Sequence, residues 1–250
     1  MPVFFIHSQD VVDGVVTITE PLLTHISKSL RTKLGDVLIF NDDQGHRYHT
    51  TVAQITKHML QATIHQVDAP PLSSRPPIIL AQALLKGEKM GWVIQKGTEL
   101  GVSAIVPLIT DRVILKLSGK QEETHQARWM RIALEAAQQS ERWTLPIILP
   151  IQTFQQFLDS PRQNPAIFMA EREEAASLLS FPCATAQPGA GVTVIIGPEG
   201  GWSAEEIEAA KYHKWAFASF GKEILRAETA SLAALAILQA RFNACENRSL

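Results

Sequence analysis

Two short segments near the end of the chain contain residue types that could bind a ligand and do chemistry. The first, residues 197–202, has the sequence Gly-Pro-Glu-Gly-Gly-Trp and follows apolar residues 192–196, which predict a buried strand. Its glycines leave backbone N–H and C=O groups uncovered, so the loop could hold a ligand by main-chain contacts. The spacing matches neither a GxGxxG fingerprint nor a P-loop, and a purely structural turn is an equally good interpretation of the loop alone.

The second segment, residues 222–230, places two charged side chains beside an apolar run. Arg226 and Glu228 are flanked by Ile224, Leu225 and the start of a long Ala- and Leu-rich helix. Charges in such a position are typical of a functional site, but they are also typical of a solvated helix start, where Glu228 would interact favourably with the helix dipole. Both alternatives stay open from these residues alone.

The elements before residue 72 are short and rich in β-forming residues. A turn at residues 41–45 predicts a hairpin, and residues 21–30 predict a helical interruption. Closely spaced short strands favour a small closed β-barrel. The Pro-rich residues 69–77, which follow these strands in the sequence, favour a stiff linker. The predicted strands are residues 3–6, 15–18, 37–40, 48–55 and 60–67.

After the linker, strands alternate with helices. Six such strands favour an α/β fold with a mostly parallel sheet that is covered on both faces. Gly101 stands where a helix C-terminal cap belongs, and Ser203 with Glu206 fits a capping box. The expected domains are residues 1–72 and 73–250. The predicted strands are residues 78–84, 104–108, 145–149, 166–170, 192–196 and 215–220, and the predicted helices are residues 88–100, 122–140, 153–158, 173–179, 203–213 and 228–243.

Composition limits the classes of protein that the chain could be. Hydrophobic content of 46% and charged content of 19% are typical of a globular protein, and a formal charge of -2 means that any nucleic-acid contact must come from local basic patches. No run approaches the roughly 20 apolar residues of a membrane span, and the N-terminus does not resemble a signal peptide. We therefore expect a cytoplasmic protein without a membrane partner, in which Cys183 and Cys245 are reduced thiols.

Histidines are concentrated in the first domain, which raises the question of a metal site. His46 and His49 have a spacing that could hold an ion, but only Asp42 and Asp43 are near them in sequence and no cysteine is available. Surface histidines that contact RNA, or that are simply polar, are the alternatives. We expect no metal.

Several motifs taken together resemble the SPOUT class of methyltransferases. Within that class the chain resembles the bacterial family that methylates N3 of one uridine in 16S ribosomal RNA. The resemblance is carried by the Gly-Pro-Glu-Gly-Gly loop and residues 220–230, by residues 86–90 with 94–102, and by two shorter runs at 25–31 and 135–140. It covers nearly the whole chain, and Gln138 is a departure from the commoner acidic residue.

The resemblance implies a fold and a cofactor. The C-terminal domain would be a SPOUT-type trefoil-knotted parallel sheet, with the knot at about residues 166–242. The N-terminal domain would be a PUA- or OB-like β-barrel that binds RNA. Such knots are rare exceptions among proteins. The cofactor would be S-adenosyl-L-methionine, and the loop reading Ala170-Glu171-Arg172 departs from the family pattern. The cofactor-binding residues would be Met169, Gly197, Pro198, Glu199, Gly200, Gly201, Phe220, Gly221, Ile224, Leu225, Thr229 and Ala230.

The implied reaction assigns roles to the charged residues. Uridine N3 is a poor nucleophile until its proton leaves, so a base must accept that proton or a cation must stabilise the resulting anion. Arg226 is suited to be the stabilising cation, because its planar guanidinium can direct two N–H donors towards one edge of the uracil. Glu228 would be the base or would orient Arg226. The substrate-binding candidates are Arg31, Lys86, Lys89 and Lys96, for which exposed solubilising charges are the alternative.

The implied partners are 16S ribosomal RNA in the small ribosomal subunit and a second copy of the chain. The homodimer would use the helix of residues 228–243, which is apolar on more than one face. Two alternatives stay open: a related SPOUT enzyme that acts on transfer RNA, and a non-catalytic RNA-binding knot protein.

Overall fold

The computed structural model describes residues 3–29, 31–71, 75–113, 119–161, 164–171, 175–181 and 191–246. The chain forms two compact units, Met1–Leu72 with Leu134–Leu145 and Ser73–Ala133 with Pro146–Leu250. Arg172, Cys183 and the side chain of Cys245 lie outside the described residues, as do parts of the expected linker and of the expected helix at 173–179.

The first unit is built on a curled six-stranded sheet with the order β1-β4-β5-β6-β3-β2. All neighbouring strands are antiparallel except β1 and β4, which are parallel. Register shifts between His49 and Thr50 and between Val52 and Gln54 mark irregularities in β5 that bend the strand. Its strands are β1 Val3–Phe5, β2 Val11–Val12, β3 Val15–Ile18, β4 Val37–Asn41, β5 Arg47–Ile55 and β6 Leu60–Asp68.

The sequence pattern of this unit is confirmed for its five longer strands and its hairpin. Alternate residues of β5, Tyr48, Thr50 and Val52, are buried, as the period of two requires. The turn between β4 and β5 is held by Asp42, which accepts hydrogen bonds from the backbone N–H groups of Gln44 and His46. The predicted helical piece is present as α1, Leu22–Thr24, continued by a π-helical turn, His25–Ser29.

The first unit also includes residues 134–145, which the expected domain of residues 1–72 did not contain. Asn41 Nδ2 donates to the backbone oxygen of Arg142 at 2.7 Å, and Arg47 Nη2 donates to that of Glu141 at 2.9 Å. The Arg47 guanidinium lies 4.0 Å from the ring centroid of Trp143. These contacts join residues about 100 positions apart, so no local periodicity could predict them.

The second unit is built on a parallel eight-stranded sheet. Its order is β10-β8-β7-β13-β11-β14-β12, with β9 also paired to β8. All five residues of β13 are buried, as expected for a strand covered on both faces. The strands are β7 Ile78–Ala83, β8 Ala104–Ile109, β9 Ile147–Ile148, β10 Gln152–Thr153, β11 Ala166–Met169, β12 Ala176–Ser177, β13 Val192–Ile196 and β14 Ala216–Ser219.

Five of the six helices predicted after residue 72 are confirmed. The predicted helix at residues 173–179 is wrong over its described part: β12 pairs with β14 there, and a 3₁₀ turn, Leu178–Ser180, buries Leu178 in the core. Sheet pairing and burial of that leucine outweigh the local helix propensity of the alanines. The helices are α2 Lys89–Glu99, α3 Gly119–Gln139, α4 Phe154–Asp159, α5 Ala204–Tyr212 and α6 Ala227–Glu246.

Helix α6 packs on α2 and on the sheet of its own chain. Its buried residues Ala234, Leu235 and Leu238 share one core cluster with α2. The fully buried Ser231 donates to the Gln82 side chain on β7, which satisfies two polar groups in the interior. No helix in the described ranges has the length and apolar content needed to cross a bilayer.

Candidate active site

The site lies where three neighbouring parallel strands end. The loops after β11, β13 and β14 enclose a cleft of about 510 Å³, within the size range of small-molecule sites. Ligands in open parallel sheets bind at this carboxyl edge of the strands. The cleft is lined by residues 169–171, 196–202, 218–221 and 223–227 together with Lys89, Arg112, Ile207 and Ala230.

Trp202, at the end of the glycine-rich loop, packs against both strand β11 and the loop itself. The indole N–H of Trp202 donates to the backbone oxygen of Met169 at 3.0 Å, and its ring centroid lies 4.4 Å from that of Phe168. A Cβ placed on Gly197 would lie 3.0 Å from the Trp202 ring. Gly201 has a φ of +70°, and its N–H donates to Pro198 O at 2.9 Å, which closes a tight turn.

The loop also contacts Arg112, a residue that the sequence did not indicate. Arg112 Nη1 donates to the backbone oxygen of Gly200 at 2.9 Å, and a Cβ on Gly200 would lie 3.2 Å from the Arg112 Cβ. Arg112 comes shortly after β8, so its place near the carboxyl end of a strand was the available signal. The loop backbone is therefore closely packed against both Trp202 and Arg112.

A lysine and two glutamates form an ion cluster at one edge of the cleft. Lys89 Nζ lies 3.1 Å from Glu199 Oε1 and 3.5 Å from Glu228 Oε1. The hydrogen bond to Glu199 raises the pKa of Lys89. Partial burial tends to raise the pKa of Glu199, but hydrogen bonds from backbone N–H groups and from Lys89 lower it overall. Both residues are therefore charged at neutral pH.

Arg226 and Glu228 occupy different positions relative to the cleft. Arg226 is exposed and lines the cleft, and its backbone oxygen accepts a hydrogen bond from the Ala230 N–H in the first turn of α6. Glu228 is not among the lining residues. Its Oε2 is buried and has no hydrogen-bond partner within the described ranges, while its Oε1 faces Lys89.

Comparison with known proteins identifies the family. Residues 73–239 match the model of a family described as an RNA methyltransferase domain. A Bacillus subtilis protein named ribosomal RNA small subunit methyltransferase E is 30% identical over 226 residues, which cover 89% of this chain and 88% of that protein.

The chain belongs to this methyltransferase family.

Two further relatives agree with this membership. A protein of the same name from Synechocystis sp. is 34% identical over 238 residues, covering 93% of this chain and 75% of that protein. The crystal structure of a ribosomal RNA small subunit methyltransferase E from Neisseria gonorrhoeae bound to S-adenosyl methionine has a TM-score of 0.85 and 30% identity, covering 96% of this chain and 98% of that one. The family resemblance noted in the sequence is thus confirmed.

The structure brings most of the expected cofactor-binding residues of this family member to one cleft. Thr229 is the exception: it is exposed and is not a lining residue. The expected residues that do line the cleft are Met169, Gly197, Pro198, Glu199, Gly200, Gly201, Phe220, Gly221, Ile224, Leu225 and Ala230.

The four expected substrate-binding residues are dispersed. Arg31 is exposed in the first unit, with a φ of +53°. Lys96 pairs with Glu99 on its own helix, with Nζ 2.8 Å from Oε1. Lys86 is exposed, and only Lys89 lines the cleft.

The paired histidines do not converge on a common point that could hold an ion. His46 Nδ1 lies 3.2 Å from Asp42 Oδ2, whereas His49 Nε2 lies 2.8 Å from Asp68 Oδ2. Each ring therefore has its own carboxylate. Across the ranges that the structure describes, no three His, Cys, Asp or Glu side chains are grouped as metal ligands.

Proposed function

We propose that this chain transfers the methyl group of S-adenosyl-L-methionine to N3 of a uridine in 16S ribosomal RNA. The observation that carries the proposal is that the glycine-rich loop and Arg226 line one cleft at the carboxyl edge of the parallel sheet. The proposal also rests on membership of the family of ribosomal RNA small subunit methyltransferases E.

The residues of the cleft fit the cofactor. A Cβ on Gly197 or Gly200 would crowd Trp202 or Arg112, and the absence of side chains at these positions lets the loop approach a ligand with its backbone. Met169, Phe220 and Leu225 supply apolar walls suited to an adenine ring. When bound, the cofactor supplies an electrophilic methyl group on a sulfonium.

Arg226 provides the charge that the reaction needs. As the N3 proton leaves, negative charge spreads over O2 and O4 of the uracil, and a preorganised guanidinium stabilises that charge. Glu228 lies outside the cleft lining, with Oε1 facing Lys89. We therefore assign the direct role to Arg226, and Glu228 acts by holding Lys89, the cation that its Oε1 faces.

RNA contact comes from local basic side chains, since the formal charge of the chain is -2. Arg31, Lys86 and Lys96 are the proposed contacts. The first domain, residues 1–72, would complete its curled sheet as a PUA-like RNA-binding barrel, and residues 73–250 would form the methyltransferase domain with a trefoil knot at about 166–242. A substrate in the small ribosomal subunit implies a cytoplasmic location.

We also propose a homodimer through α6. Most of its large apolar residues are covered by its own chain, which leaves an exposed face of small residues, Thr229, Ala236, Ala240 and Asn243. A second copy could approach this face closely and bury more than about 1,200 Å², the lower end for specific interfaces. Light scattering at micromolar concentration should give twice the mass of the 27.6 kDa chain, and a monomeric mass would contradict the dimer.

The reaction itself is tested by nucleoside mass spectrometry of 16S ribosomal RNA from a strain that lacks this gene. We expect N3-methyluridine to be absent, and to return when the wild-type gene is supplied but not when it carries Arg226→Ala. An unchanged 16S profile with a missing methylated nucleoside in transfer RNA would favour the transfer-RNA enzyme. No change in either RNA would favour a non-catalytic protein.

A further inference from the structure

The glycine-rich loop has few side chains that can fix its position. Residues 197, 200 and 201 are glycines, so the loop is held by contacts from outside it. Arg112 binds the backbone of Gly200, Trp202 binds the backbone of Met169, and a further side-chain anchor is the carboxylate of Glu199. Fixing such a flexible loop in advance of binding lowers the entropy that the ligand must otherwise supply.

The carboxylate of Glu199 is held from the start of α2. Its Oε1 lies 3.1 Å from Lys89 Nζ and also accepts the backbone N–H of Lys86 at 3.4 Å. The same ammonium lies 3.5 Å from Glu228 Oε1 in the first turn of α6. One lysine therefore connects the glycine-rich loop to the helix that begins next to Arg226.

We propose that Lys89 is a positioning residue for the cofactor cleft and not a phosphate contact. Two carboxylates already share its ammonium, and one of them, Glu228, has its other oxygen buried without a partner in the described ranges. Moving Lys89 to an RNA phosphate would leave both carboxylates without that cation. The inference rests on the proposed function, because the cleft is taken to bind S-adenosyl-L-methionine.

Lys211 provides a matched control. It is a lysine on a helix of the same unit, its side chain is 45% exposed against 36% for Lys89, and it pairs with a carboxylate at 3.0 Å. Its partner Glu208 belongs to α5 itself, so the pair connects no loop of the cleft. Loss of a positive charge as such should therefore affect both variants equally, whereas loss of loop positioning should affect only Lys89.

The test is calorimetric titration of the full chain with S-adenosyl-L-methionine. We expect Lys89→Met to weaken binding about fivefold, as is reasonable for a partly exposed ion pair, and Lys211→Met to change it less than about twofold. Lys89→Arg should restore most of the affinity. In a Glu199→Gln background, where the loop has already lost the ion pair with Lys89, Lys89→Met should weaken binding by less than about a further twofold, because the two residues act as a unit.

A salt titration of RNA binding completes the experiment. The slope of the logarithm of RNA affinity against the logarithm of salt concentration should be unchanged in Lys89→Met. It should fall by about one in Lys86→Met, which loses a proposed phosphate contact. Wild-type cofactor affinity in Lys89→Met together with a reduced salt slope would overturn the inference. If Lys89→Met does not fold, Glu199→Gln alone must reproduce the fivefold loss, and normal affinity there would equally overturn it. A wild-type chain that does not bind the cofactor would instead refute the proposed function.

Discussion

Replacing Arg226 with alanine should slow methyl transfer by about 10²–10³, the usual effect of removing one preorganised donor from a developing anion. Cofactor affinity should change far less, because the glycine-rich loop and the apolar walls provide the other contacts of the cleft. Arg226→Lys keeps the charge but loses the planar fork, so its rate should lie between those of Arg226→Ala and the wild type. Single-turnover methylation of small ribosomal subunits measures these rates.

The dependence of the rate on pH separates a cation from a base. Once N3 is ionised at alkaline pH, a proton acceptor becomes dispensable, but a cation that stabilises the anion does not. Arg226→Ala should therefore stay slow at every pH. Glu228→Gln should be slowed less and should show no recovery at alkaline pH, because Glu228 does not line the cleft. Recovery of Glu228→Gln at alkaline pH would assign it as the base, and full activity of Arg226→Ala would remove Arg226 from the mechanism.

Replacing Gly200 with valine should strongly weaken cofactor binding while the protein stays folded. A Cβ at this position already lies 3.2 Å from Arg112 Cβ and 3.6 Å from the Arg112 backbone oxygen, so the larger side chain must displace the loop or project into the cleft. We expect an affinity loss of about 100-fold or more, equivalent to about 2.7 kcal/mol of binding free energy. Calorimetric titration measures the affinity, and thermal melting checks the fold.

Gly119 offers a control for this substitution. It stands at the start of α3, and a Cβ there would have no neighbour within 4 Å. Gly119→Val therefore adds the same side chain without touching the cleft, and its cofactor affinity should equal that of the wild type. Normal affinity in Gly200→Val would show that the cofactor binds elsewhere.

Local patterns in the sequence were sufficient for most elements of the fold. Strands β3 and β13 begin and end at the predicted residues, because runs of β-branched residues between turn residues favour a strand and mark its ends in the local sequence. Ser203 and Glu206 form the expected capping box, and Gly101 has the positive φ expected after a helix. The glycine-rich loop and Arg226 were likewise recognisable as candidates, since their residue types are unusual for their positions.

Long-range contacts decided the rest. Strands β2, β10 and β12 have two residues each, too few for any periodicity, and they exist only because a longer strand pairs with them. Residues 134–145 join the first unit through hydrogen bonds to Asn41 and Arg47. Sequence alone could not predict these pairings, because each depends on how distant segments are brought together.

The same distinction applies to the candidate site. Arg112 contacts a loop 88 positions away, and Lys89 contacts carboxylates 110 and 139 positions away. In the sequence, Arg112 has no distinguishing pattern, and Lys89 is a candidate for substrate binding and not for an ion pair with the loop. A helical pattern shows which face of α2 is buried but not which charges an exposed side chain will meet. The sequence by itself determined the residue types available for binding and catalysis. Only the tertiary structure decided which of them share a cleft, because strand order places the ends of β11, β13 and β14 side by side.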